Sequence, residues 1–147
     1  QFVDMNWDRN YSPIAVYSQS KLAQMMFAYE LQDRVKAAGK DLEVYVCHPG
    51  ASATSLISTS GGIMTRALWW VMTKTPLVQT AEKGAYPEVM CATETGLKQR
   101  AFHGPTGWMQ TGGPVGTGQL EPHAHDKPVM TRLWEVSEEA TGFNWPV

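Results

Sequence analysis

The chain has 147 residues, a formal net charge of −2, 43% hydrophobic residues and 18% charged ones. That balance fits a single soluble globular domain with room for an ordinary core. The slight acidity and the lack of a basic cluster argue against a nucleic-acid partner. No run of about 18 apolar residues offers a membrane span, and no signal peptide is expected among these residues. The two cysteines, Cys47 and Cys91, make no metal or redox spacing. They read as reduced, buried thiols of a cytoplasmic compartment. The chain begins at Gln1, directly in strand-like sequence, and so reads as the C-terminal part of something longer.

Residues 1–5 (QFVDM) are too few to assign, and 6–13 (NWDRNYSP) read as a loop rich in turn and cap residues. Ser12 followed by Pro13 predicts a helix start, with serine at the cap and proline in the first turn. The helix runs over 13–38, with Leu22, Met25, Met26, Tyr29 and Val35 at helical spacing and Gly39 as its stop. Residues 42–47 (LEVYVC) predict a strand that His48, Pro49 and Gly50 end, because proline cannot continue a ladder. A long helix followed by a buried strand is half of a βαβ repeat.

The stretch 51–62 (ASATSLISTSGG) is small and polar, and 63–74 (IMTRALWWVMTK) predicts a short amphipathic helix carrying Trp69 and Trp70. A further helix is expected over 80–93 with Thr80 as cap, kinked or broken at Pro87. Residues 100–103 (RAFH) predict a last short strand. Residues 104–118 (GPTGWMQTGGPVGTG) hold too much glycine and proline for regular structure. A final helix is expected over 126–139, with Asp126 as cap and Pro128 in its first turn. The chain has no internal repeat.

The candidate chemistry lies at the head of the long helix, in Tyr17-Ser18-Gln19-Ser20-Lys21. Residues four apart share a helix face, so Lys21 stands one turn from Tyr17. A phenol ordinarily ionises at about pH 10, and an ammonium beside it favours the phenolate, which suits general acid/base work. Geometry suggests a companion. The helix from Lys21 onward covers about 26 Å, and the strand from Leu42 to Pro49 returns about 23 Å. Ligands of open α/β sheets bind outside the carboxyl ends of the strands. The Tyr/Lys pair and the Pro49-Gly50 loop are therefore expected to meet.

These residues resemble the short-chain dehydrogenase/reductase family, in the branch that includes retinol dehydrogenases and protochlorophyllide reductases. The stretch YSQSKLAQMMFAYEL (17–31) resembles the branch's Y-x-x-S-K-L-A-N helix, with Gln24 where asparagine is usual. HPGASAT (48–54) matches its H-P-G-x-x-x-T loop, and GAYPEVMCAT (84–93) and RLWEVSEEATG (132–142) resemble its later helices. The resemblance implies an α/β fold, the C-terminal portion of a doubly wound Rossmann-type parallel sheet. Residues 1–147 would form a single partial domain lacking the N-terminal nucleotide-binding half, with 55–76 as the substrate lid.

The roles implied are those of an NAD(P)-dependent oxidoreductase that moves hydride between a nicotinamide and an apolar carbonyl or alcohol. Tyr17 would be the general acid/base. Lys21 would hold the nicotinamide ribose and assist Tyr17. Pro49, Gly50 and Ala51 would form a backbone wall under the nicotinamide, and Thr54 would bond its carboxamide or a nearby phosphate. The branch favours NADP over NAD. It also implies a homodimer through the 13–38 helix and a peripheral membrane contact.

The family's glycine-rich dinucleotide fingerprint is not among these residues; Gly113, Gly116 and Gly118 do not have its spacing. The family's catalytic serine is expected upstream of Gln1, since Ser12 is a cap and Ser18 and Ser20 share the helix of Tyr17. The alternative reading is therefore a non-catalytic truncated module that pairs with another chain. His123 and His125 form an H-x-H pair without partners at a metal spacing and read as loop residues, so no metal is expected. His48 reads as shaping the strand end.

Overall fold

The computed structural model describes residues 2–52, 62–75 and 78–146. They fall into two compact units, one of Gln1–Val44 with Glu121–Val147 and one of Tyr45–Leu120.

The first unit is built on helix α1, Pro13–Ala37. Ser12 is its extended cap residue, with φ −129° and ψ 115°, and its side chain makes no capping bond. Past the far end, Gly39 turns the chain at φ +62°. The Gly39 amide then donates to Lys36 O at 3.1 Å and the Lys40 amide to Val35 O at 3.0 Å. These two bonds satisfy carbonyls that a helix end otherwise leaves unpaired.

The buried face of α1 carries Met26, Tyr29, Glu30, Gln32 and Val35. It packs on the C-terminal helix, Lys127–Thr141, through Met130, Leu133 and Trp134. Each such apolar side chain contributes about 1.5–3 kcal/mol on burial. Trp134 stacks on Phe27 at 4.7 Å between ring centroids, and the Arg34 guanidinium lies 4.5 Å from the Trp134 ring. The C-terminal helix starts on Asp126, whose side chain accepts from the Val129 amide, and ends at Gly142 with φ +65°.

The second unit holds a three-stranded sheet. Strand β1, Val46–Cys47, runs parallel to β2, Phe102–Pro105, and β2 runs antiparallel to β3, Val115–Thr117. Helix α2 is Ile63–Met72 and helix α3 is Ala81–Thr93; the C-terminal helix is thus α4. The Thr80 hydroxyl accepts from the Lys83 amide at 3.3 Å and caps α3.

Several sequence expectations shift for physical reasons. The strand expected over 42–47 is only Val46–Cys47, because its ladder partner begins at Phe102. The strand expected over 100–103 moves to Phe102–Pro105, since Arg100 sits at φ +55° and cannot extend. Helix α3 runs unbroken through Pro87, although proline removes a donor and crowds the preceding turn. Pro87 is fully buried there.

The glycine-rich stretch 104–118 contains β3 and the end of β2, where regular structure was not expected. The reason is close approach. Gly104 pairs with Gly116, and a Cβ on Gly104 would collide with the His48 ring. Glycine there makes room for a neighbour.

Candidate functional site

In the first unit, Tyr17 and Lys21 occupy the exposed head of α1. Tyr17 is 58% exposed. The Lys21 Nζ lies 5.6 Å from the centroid of the Tyr17 ring and bonds Gln24 Oε1 at 3.2 Å. The ammonium is thus steered by one side chain a turn back and one three residues on. Gln24 holds the position where the resemblance expected asparagine. The Ser20 hydroxyl donates to the Tyr17 carbonyl at 2.8 Å, which spends it within the helix.

In the second unit, residues 48–52 leave β1 as a closely held turn. Gly50 has φ +65°, and a Cβ there would stand 2.5 Å from Thr111 O and 2.6 Å from Pro105 Cγ. Only glycine meets both demands. The Gly50 amide donates to His48 Nδ1 at 3.3 Å. The Ala51 amide donates to Thr111 O at 2.7 Å, and Ala51 O accepts from the Gln79 amide at 2.9 Å. The Pro49 carbonyl accepts twice, from Ser52 Oγ at 2.8 Å and from Gln79 Nε2 at 2.5 Å. A parallel bridge joins Ser52 to Gln79.

His48 supports this turn. Its ring stacks on Phe102 at 4.2 Å and 14°. Burial holds its pKa below the usual imidazole value, so the ring is neutral at neutral pH. Because Nδ1 accepts from Gly50, the proton is assigned to Nε2.

Beside His48, burial pushes the Cys47 thiol up to about 11, with smaller contributions from Cys91 and Glu88. The Cys91 thiol is raised as well, mainly by burial. Both cysteines are free.

Of the residues singled out from the sequence, Tyr17 and Lys21 stand together on one helix turn, and Pro49, Gly50 and Ala51 form one turn of the other unit. Thr54 lies outside the described residues, as does part of the 55–76 stretch; residues 62–75 are described and include α2. Gln79, Thr111 and Pro105 were not expected at the site. Gln79 is 30 residues from the carbonyl it bonds, and no spacing rule connects them. A cavity of about 530 Å³ opens next to Gln79, lined also by Thr80, Lys83, Tyr86, Gly112 and Gly113; Pro49, Gly50 and Ala51 do not line it. His125 packs its ring on Tyr29 at 4.8 Å. Among the described residues, no group of three or more His, Cys, Asp or Glu side chains could hold a metal ion.

A helix headed by a tyrosine and a lysine, and a strand ending in a Pro-Gly turn, belong to the C-terminal portion of a doubly wound α/β fold. Known proteins agree. Retinol dehydrogenase 12 of Homo sapiens is 30% identical over 144 residues, which is 98% of this chain and 42% of that protein. Retinol dehydrogenase 14 of Mus musculus is 31% identical over 147 residues, 96% of this chain and 40% of its own length. A crystal structure of an uncharacterized protein from Mycobacterium paratuberculosis shares 32% identity with a TM-score of 0.73. The match covers 98% of this chain and 45% of that one. No family model matches. The chain belongs to the short-chain dehydrogenase/reductase family and corresponds to the C-terminal part of these relatives. It spans about two-fifths of the length of the retinol dehydrogenases it matches.

Proposed function

We propose that this chain is the substrate-side part of an NAD(P)-dependent oxidoreductase acting on a small apolar carbonyl or alcohol. The observation that carries the reading is the exposed pairing of Tyr17 with Lys21, whose ammonium stands 5.6 Å from the phenol ring. Tyr17 is the general acid/base, giving a proton to the substrate oxygen in reduction and taking it back in oxidation. Lys21 stands one helix turn from the phenol and holds the cofactor ribose with the ammonium donors that Gln24 does not take.

The turn at Pro49–Ala51 fits the planar nicotinamide. Pro49 has no N–H, Gly50 has no side chain, and both polar backbone groups of Ala51 are taken within the chain. What the segment offers a ring is therefore mostly apolar backbone and small carbons. Thr54 is assigned to the carboxamide or a nearby phosphate on the family resemblance. When bound, the nicotinamide supplies or accepts the hydride. NADP is favoured by the branch that the sequence resembles.

The test is a fluorescence titration of NADPH and NADH into the 147-residue chain, with Tyr17→Phe and Lys21→Ala as variants. Saturable binding that Lys21→Ala loses and Tyr17→Phe keeps supports the assignment. A folded chain that binds neither nucleotide sinks it as a property of this chain, and favours the non-catalytic module.

Helix α2 supports a peripheral membrane contact. Ile63 and Met64 are 87% and 84% exposed, Trp70 and Val71 are also exposed, and Lys74 lies over the Trp70 ring at 5.7 Å. No residue between Glu43 and Glu82 is acidic, whereas Arg66 and Lys74 are basic. An apolar stripe with basic flanks suits an anionic interface. Flotation with anionic liposomes, lost in Trp70→Ser, is the check. No helix among the described residues is long and apolar enough to cross a membrane. A homodimer through α1 accords with the exposure of Ile14 at its head, and sedimentation equilibrium tests it.

A further inference from the structure

We propose that Gln79 is a positioning residue that fixes the Pro49–Ala51 turn in its working shape. The inference rests on the nicotinamide reading above and assigns a role to a residue that touches no reacting atom.

The turn has little to hold itself. Pro49 cannot donate a hydrogen bond, and Gly50 has the widest backbone freedom of any residue. Glycine visits positive and negative φ about equally, so one conformation persists only if surrounding bonds select it. On one side the Ala51 amide is held by Thr111 O at 2.7 Å, and Thr111 O and Pro105 fill the space where a Gly50 side chain would stand. Pro105 is the last residue of β2, and Thr111 lies in the chain that follows it.

Gln79 holds the turn through two further bonds. Its backbone amide donates to Ala51 O at 2.9 Å, and its side-chain amide donates to Pro49 O at 2.5 Å. Among the described residues, the Gln79 amide is the one side-chain group from a distant part of the chain that hydrogen-bonds this turn. The other two side-chain bonds come from His48 and Ser52, which belong to the turn itself.

Gln79 is itself well placed to be stiff. It directly precedes Thr80, the cap of α3, so its backbone is tied to a helix start. The first turn of that helix also lies close against the Pro49 turn. A Cβ on Gly84 would collide with the Ser52 hydroxyl and come within 3.5 Å of Pro49 Cβ. Gln79 therefore transmits the position of α3 to the Pro49 carbonyl. Its side chain offers the donor that this doubly accepting carbonyl requires.

The experiment measures amide hydrogen exchange, thermal midpoint and NADPH affinity in the 147-residue chain and in Gln79→Met and Gln79→Glu. Methionine keeps the side-chain length without a donor. Glutamate keeps the shape and presents an acceptor where a donor is needed. The expected result is exchange at Gly50 and Ala51 about three- to tenfold faster, the size of one lost hydrogen bond. The amides of β2 and β3 should keep their wild-type rates, and NADPH affinity should fall by a similar factor.

Acceleration spread evenly over all amides, or no acceleration, overturns the proposal, since the first is plain destabilisation and the second an idle contact. Local acceleration with unchanged NADPH affinity overturns the link to the cofactor. Wild-type protein that binds no NADPH refutes the nicotinamide reading instead, and exchange at Gly50 and Ala51 then decides alone whether Gln79 holds the turn.

Discussion

Glu30 and Lys127, 97 residues apart in the chain, meet at 2.6 Å between carboxylate and ammonium. Glu30 is only 2% exposed and also bonds Arg34 Nε at 3.0 Å, while Lys127 reaches Asp33 at 2.9 Å. Burial alone would lower the Lys127 pKa, but its bonds to Glu30 and Asp33 outweigh that and raise it. The two partners are not equivalent, because the Lys127 side chain is 51% exposed. Glu30→Ala takes the carboxylate from Arg34, leaves Lys127 only Asp33 and empties a buried site in the α1–α4 contact, and is expected to cost about 3 kcal/mol. Lys127→Ala leaves Glu30 its Arg34 partner and is expected to cost about 1 kcal/mol or less. Urea unfolding of both variants checks the ratio; equal losses would show that the two ends of the pair share one environment.

The positive φ of Gly50 and that of Gly39 are nearly the same, at +65° and +62°, but their surroundings differ. Around Gly39 nothing lies within 4 Å of an added Cβ, whereas at Gly50 the Thr111 carbonyl stands in the way. Gly39→Ala is therefore expected to cost about 1 kcal/mol from backbone strain alone. Gly50→Ala adds displacement of backbone and is expected to cost about 2 kcal/mol or more. Denaturant midpoints of the two variants separate strain from collision, and NADPH binding should be lost only in Gly50→Ala.

The helices were the legible part of this chain, because caps and periodicity are local. Ser12-Pro13, Thr80 and Asp126 each begin a helix where expected, and Gly39 turns the chain out of α1. Strand ends were less legible, since a ladder exists only where its partner does, and Phe102 cut β1 to two residues. Glycines in β2 and β3 looked like loop composition until the His48 ring showed why Gly104 has no side chain. The buried Glu30 was read through none of the apolar spacing of α1, because its partner Lys127 lies at the other end of the chain. At the candidate site, the tyrosine, the lysine and the Pro-Gly turn carry a local motif. The residues that hold the turn do not. Gln79 and Thr111 act through one side-chain amide, one backbone amide and one backbone carbonyl, and none of these contacts leaves a mark in composition or spacing.

The Cys47 thiol, raised to about 11 chiefly by burial, makes a slow nucleophile. Its thiolate population near neutral pH should be about a hundredfold below that of an ordinary cysteine. Iodoacetamide is therefore expected to modify Cys47 that much more slowly in the folded chain than in urea, measured by mass spectrometry. The stability contribution has a definite sign. A folded pKa above the unfolded value of 9.0 stabilises fully below that value, and the effect is lost as pH rises through about 11. Rapid labelling at neutral pH would mean that β1 opens readily at its carboxyl end.

His48 ties the candidate site to acid. Its folded pKa lies below the ordinary 6.5 because the ring is buried, and its Nδ1 is the acceptor of the Gly50 amide. Protonation would charge a ring stacked on Phe102 and place a second donor where Gly50 already points one. A depressed histidine pKa stabilises fully above 6.5, and that stability is lost as pH falls through the folded value. Wild-type protein is thus expected to lose stability, and NADPH affinity with it, as pH falls through the window below 6.5. His48→Phe keeps a flat ring against Phe102 but cannot accept from Gly50 or titrate. Its urea midpoint should start lower at neutral pH and depend less on pH across that window. If both proteins lose stability in parallel on acidification, carboxylates elsewhere carry the acid response, and the Gly50 turn does not depend on a neutral His48.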